Sequence, residues 1–155
     1  MENVWTNINN NIPIYMSEVC KKYNMTCEKL TDLDTVMYND KCCLLFQVGK
    51  FYVSVSYIFE EDGVLVEYLC DSYLSIRFDD EDRKELIPIE KAGDSVKNDI
   101  KILSRGLLSK CDDVLSGEKQ WMEKFKKSGC YGKLKLNSEL EAALREKTDL
   151  FNEER

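Results

Sequence analysis

The sequence predicts an α+β fold in one domain spanning residues 1–155: an N-terminal helix, an antiparallel β-meander of four to six strands, and C-terminal helices packed on one sheet face. Three observations predict it. Apolar residues recur at helical spacing before Asn24 and again after Asp94, and between Met25 and Phe78 they alternate with period two. The turns between the alternating runs are too short to cross over into a parallel pair, so the strands run antiparallel.

Pro13 suits the first turn of a helix, where its missing N–H needs no partner and its φ is preset. Around and behind it Ile12, Met16, Val19, Cys20 and Tyr23 recur at spacings of 4, 3, 1 and 3 and make one apolar face, which Asn24 ends. From about Met25 the β-branched and aromatic residues cluster, as strands require. Asn39-Asp40, Gly49-Lys50 and Glu60-Glu61-Asp62-Gly63 supply turns, the last being the clearest.

Before that turn, Phe51, Val53, Val55, Tyr57 and Phe59 share one strand face opposite Tyr52, Ser54 and Ser56. After it, the even positions Val64, Val66, Tyr68, Cys70, Leu74, Ile76 and Phe78 are apolar, and Glu67, Asp71, Ser75 and Arg77 fall on the odd face. That parity survives Ser72. One long strand, bent or bulged near residues 70–72, is therefore expected, because a hairpin at Asp71-Ser72 would bury Ser75 and Arg77. The other sheet face, with Tyr52, Leu65, Leu69 and Tyr73 beside Glu67 and Asp71, is then exposed and suited to a protein interface; burial of the sheet on both sides would make these residues core instead.

Residues 79–94 read as a charged connection, and Pro88 excludes a central strand there. After Asp94, a candidate N-cap, Val96, Ile100, Leu103, Leu107, Cys111 and Val114 are spaced by 4, 3, 4, 4 and 3, which makes one long amphipathic helix ending by Gly117. A shorter segment with Trp121, Met122 and Phe125 follows. Ser138-Glu139-Leu140-Glu141 has the capping-box pattern and starts a last helix through about Leu150.

The net charge is −7, and its distribution is uneven: residues 60–99 hold 13 acids against 5 bases, while the rest nearly cancels. Such a concentration attracts a basic partner at long range and disfavours nucleic acid or an anionic membrane. No secretory signal pattern opens the sequence, and no apolar run approaches the ~18 residues of a membrane span. The 7 cysteines are odd in number, scattered and without a C-x-x-C pair, so reduced thiols and a cytoplasmic location are expected.

Histidine is absent, which excludes Ser-His and Cys-His nucleophilic pairs, histidine bases and histidine metal ligands. Ser116-Gly117-Glu118-Lys119 matches S-x-x-K, a pattern short enough to arise often by chance. Gly129-Cys130-Tyr131-Gly132-Lys133 fails the spacing of a phosphate loop. On a strand, Cys42 and Cys43 point to opposite faces and cannot share a metal. No metal or other cofactor is expected. The lysines between Lys119 and Lys135 read as a solvated face or as partners for the acids of residues 60–99.

The stretch Leu115-Ser116-Gly117-Glu118-Lys119-Gln120-Trp121 after a long helix, in a short acidic chain without a catalytic constellation, resembles bacterial immunity proteins, the antidotes to contact-dependent or polymorphic toxins. The resemblance implies no enzyme activity and a tight complex with one cognate protein toxin domain, often a basic nuclease. It carries over no site residues. On charge and strand phase, Glu60, Glu61, Asp62, Asp79, Asp80, Glu81 and Asp82 are expected to steer that partner, and Glu67, Asp71 and Tyr73 to confer specificity. Two other functions stay open: a secretion-chaperone-like or regulatory protein holding a peptide on its sheet, and a thiol- or carboxylate-dependent enzyme.

Overall fold

The side chain of Asn3 accepts the Thr6 N–H at 2.8 Å and so starts helix α1 (Val4–Tyr15) well before Pro13 in this computed structural model, which describes residues 3–151. Pro13 lies in the last turn of α1, not the first as the sequence suggested. Its missing N–H leaves the Asn9 carbonyl free, and the Thr35 hydroxyl approaches that oxygen at 3.4 Å while donating to Asn9 Oδ1 at 2.7 Å. The buried Asn9 amide also donates to the Thr31 carbonyl at 2.9 Å, so it pins a sheet turn to the helix. Helix α2 (Ser17–Tyr23) follows after Met16 and ends, as expected, at Asn24 in the left-handed region, with φ 53°. The sequence leads us to expect neither end to be flexible beyond a few residues; residues 1–2 and 152–155 lie outside the described residues.

Strands β1 (Thr26–Lys29), β2 (Asp34–Tyr38), β3 (Cys43–Val48), β4 (Val53–Glu61) and β5 (Val64–Leu69) pair in chain order, and β6 (Lys133–Lys135) returns to complete a six-stranded antiparallel sheet beside β5. The three predicted turns join β2 to β3, β3 to β4 and β4 to β5. At the tightest, Glu61 pairs with Val64 across Asp62 (φ 53°) and Gly63 (φ 78°), two positive φ angles that match the right-handed strand twist. Asn39 Oδ1 accepts the N–H groups of Lys41 and Cys42 and closes another.

Beyond β5 the structure corrects the long-strand expectation. The strand stops at Leu69, and Cys70 leads into the short helix α3 (Asp71–Ser75). The charged connection then runs to α4 (Asp94–Lys110), α5 (Asp112–Leu115), α6 (Gln120–Lys126), β6 and α7 (Ser138–Lys147). Asn137, one residue before the predicted box, caps α7 by accepting from Glu139 and Leu140. Asp94 is the first residue of α4, and its carboxylate reaches back to the N–H groups of Glu90 and Lys91.

The fold is α+β, with apolar layers on both sides of the sheet. Helices α1, α2, α4, α5 and α6 bury one face, setting Ile8, Ile12, Ile100 and Trp121 against Phe46, Val55 and Tyr57. On the other face Leu140 and Leu144 of α7 pack with Val36, Leu45, Ile58 and Leu65. That second layer overturns the expectation of an exposed outer face, at Leu65 and Glu67 above all. Cys42 and Cys43 fall into opposite layers, as strand parity predicts. No helix among the described residues is long and apolar enough to cross a membrane.

Phe78 closes the inner layer by lying against Gly106 of α4, where a Cβ would sit well inside van der Waals contact with the ring. Gly106→Ala gains about 1 kcal/mol of helix propensity, but overpacking costs about 1–3 kcal/mol. The expected result is a net loss of about 1 kcal/mol, read as a lower urea midpoint with unchanged slope.

Candidate functional site

The break at Cys70 places Asp71, the first residue of α3, beside the start of β4 and the middle of α4. Together they enclose a cleft of about 160 Å³. Asp71 and Asp99 line it with Ser72, Ser75 and Arg83, over a floor that includes Val53 and Leu103. Asp99 accepts the Val53 N–H at 2.8 Å, which fixes the carboxylate against the sheet. Tyr52 forms the lip, 58% exposed, and its neighbour Phe51 is 78% exposed.

Burial raises the Asp99 carboxyl above the usual range; the Val53 N–H and the Arg83 charge pull it down, and the Asp71 charge pushes it further up. Asp71 is likewise raised by burial, against the lowering pull of the N–H groups that start α3. Neither carboxylate joins an ion pair among the described residues. Arg83 instead donates to the Ser75 carbonyl at 3.0 Å. A lysine or arginine side chain entering the cleft would meet two partly desolvated carboxylates and a tyrosine ring, which stabilise a cation, against the opposing charge of Arg83.

The two expected acidic clusters are separate, and most of their carboxylates are ion-paired. Glu60 pairs with Arg145 at 3.2 Å and Glu61 with Lys133 at 2.5 Å, which ties the β4–β5 turn to α7 and β6. Asp62 sits exposed in that turn. At the far end of β5, beyond α3, Asp79 and Asp82 both bind Lys110, at 3.1 and 2.9 Å, and Glu81 binds Lys84 at 2.8 Å. Asp80 is exposed. Of the lysines between Lys119 and Lys135, Lys133 makes the expected pair with the acidic quarter, at Glu61; the pairing at Lys110 was not foreseen.

Glu67 is buried and accepts from Ser56 Oγ at 2.7 Å. Tyr73 is half-buried, its ring 5.3 Å from Phe125 and 5.7 Å from the Arg77 guanidinium. Of the ten expected site residues, Asp71 alone lines the cleft. Its partner Asp99 was missed, because nothing in its position beside the apolar stripe of α4 distinguishes it from a solvated helix residue. Among the described residues, no group of three or more potential metal-ligating side chains could hold a metal.

Asp82 is a structural pin: its buried carboxylate accepts from the Asp79 N–H, Ser109 Oγ and Lys110 Nζ. Burial alone would raise its pKa, but these donors outweigh it and hold the group at about 2, below the usual 3.8. Its contribution to stability is therefore present above pH 3.8 and lost as the pH falls from there toward 2. Asp82→Asn is expected to cost about 2 kcal/mol at neutral pH. In denaturation curves followed between these limits, the gap between variant and parent should narrow with acidification.

Compared with protein-family models, curated proteins and solved structures, the chain matches none.

Proposed function

We propose that this protein is a non-catalytic acidic binding protein that neutralises a cognate basic protein toxin, as immunity proteins do, by seating a lysine or arginine side chain of that toxin between Asp71 and Asp99. One observation carries the reading: two carboxylates from separate elements, raised by burial and without an ion pair among the described residues, converge in a cleft. At about 160 Å³ the cleft suits one side-chain head better than a whole small-molecule ligand, whose sites run to roughly 300–1,000 Å³. The exposed Phe51 and Tyr52 provide aromatic surface beside it.

The net charge of −7 supports long-range attraction to a basic partner. Since most expected steering residues are already ion-paired, the unpaired Asp71 and Asp99 take over the short-range role. Co-expression with a candidate basic toxin domain, identified by pull-down from the native host, tests the proposal. Restored growth and a stoichiometric complex are expected, with both lost in the Asp71→Lys/Asp99→Lys variant. A wild-type chain that neither binds nor rescues overturns the immunity reading, and a double variant that still rescues removes the cleft from it.

The same carboxylate pair favours a second reading, a carboxylate-dependent enzyme, since a carboxyl raised by burial lies nearer the working range of a general acid or base. That reading predicts turnover of a small substrate, abolished by Asp71→Asn or Asp99→Asn alone with the fold intact.

A further inference from the structure

The cleft holds a third charge, of the opposite sign. Arg83 lines it together with Asp71 and Asp99, yet forms no ion pair with either of them or with any other acid among the described residues. Arg77 and Arg145, by contrast, each find a carboxylate. The backbone around Arg83 is tied to α4 on both sides: the preceding Asp82 carboxylate accepts from Ser109 and Lys110, and the following Lys84 carbonyl accepts from Arg105. The Arg83 guanidinium donates to the Ser75 carbonyl at 3.0 Å, and its remaining donors have no acceptor among the described residues. Burial keeps the Asp99 carboxyl raised although the Arg83 charge pulls it down, so charges of both signs share the cleft without cancelling.

We propose that the cleft is a two-pole site for a chain-terminal lysine or arginine of the partner: the side-chain cation lies against Asp71 and Asp99, and the terminal carboxylate of the same residue accepts from the Arg83 guanidinium. This rests on the reading of the cleft as a cation site given above and adds what the cation must carry with it. An internal lysine brings a cation alone and meets the Arg83 charge uncompensated. A chain end brings one charge of each sign, and a guanidinium presents paired N–H groups in the geometry of a carboxylate. The small cleft, about 160 Å³, opens beside the exposed Tyr52 and Phe51, over which the chain leading to that last residue can pass.

Titration of the folded protein with two synthetic peptides, followed by NMR, provides the test: acetyl-Gly-Gly-Lys with a free terminal carboxylate, and the same peptide as its terminal amide. The carboxylate form is expected to bind about tenfold more tightly, the worth of one charge-assisted pair. Arg83→Gln should erase that preference without weakening the amide, and Arg83→Lys, which keeps the charge but not the fork, should retain part of it. Asp71→Asn combined with Asp99→Asn should abolish binding of both peptides, with the backbone amide spectrum showing that each variant is folded. Equal binding of the two peptides by the parent, or a preference that survives Arg83→Gln, overturns the two-pole site and leaves the cation reading standing. Binding of neither peptide removes the cation reading and the two-pole site with it. Free lysine places a second ammonium beside Arg83 and should bind less tightly than the carboxylate peptide; equal or tighter binding overturns the assignment to a chain end.

Discussion

Replacing Asp71 and Asp99 together by asparagine is expected to weaken the proposed complex with a basic protein partner by about a hundredfold or more while raising the melting temperature of the free protein. The two effects have one cause. Removing one side of a desolvated interfacial charge pair costs about 2–5 kcal/mol, and each 1.4 kcal/mol is roughly tenfold in affinity. In the free protein the same carboxylates are held above their usual range, so folding is opposed by their ionisation. For a carboxyl raised on folding, relative stability is fully present below the unfolded value of 3.8 and is lost as the pH rises through the folded value. The asparagines remove that loss, and Asn at position 99 keeps an oxygen for the Val53 N–H. The melting-temperature advantage should be present at pH 7 and vanish below about pH 4. Titration calorimetry and thermal melts across that range read both quantities, and an unchanged affinity would exclude the cleft from the interface.

Trp121→Ala should cost about 4 kcal/mol, a large share of the roughly 5–15 kcal/mol that holds a domain together. Trp121 is 1% exposed and meets Tyr57 edge-on at 5.0 Å, with Phe125 at 6.2 Å and Tyr68 at 6.5 Å. Truncation empties the contact between α6 and the sheet. The indole N–H, however, has no hydrogen-bond partner among the described residues in its buried site. Trp121→Phe keeps a ring and removes that donor, so its cost should stay below about 2 kcal/mol. Urea denaturation separates the two, and equal losses would mean that the N–H is satisfied.

Most of the sheet was legible because its turns need particular residues: Asn39 to accept two N–H groups, and Asp62 and Gly63 to adopt positive φ. The stretch from 70 to 78 was not. Cys70, Leu74 and Phe78 are four apart, so they mark one face of a strand and one face of a helix equally well. Ile76, the position that distinguishes the two periods, is 74% exposed. A signal for the second layer existed in β3, where Cys43, Leu44, Leu45 and Phe46 leave no polar face. The cleft had no comparable trace, since Asp71 and Asp99 meet only through tertiary packing. The acidic quarter had a clear charge pattern, but its ion pairs depend on lysines and an arginine that the fold brings from α4, β6 and α7.

The strict chain order of β1 to β5 also bears on how the protein assembles in time. Each of these strands meets its neighbour across a short loop, so little entropy is lost in closing each hairpin and the ladder can grow from local contacts. Strand β6 is different. It reaches β5 only after the whole segment from α3 to α6, and α7 follows it, so the last strand and the outer layer arrive through the longest closure in the chain. Until they dock, the edge of β5 and the apolar outer face of the sheet stay open, which makes this interval the one in which the chain is most prone to self-association.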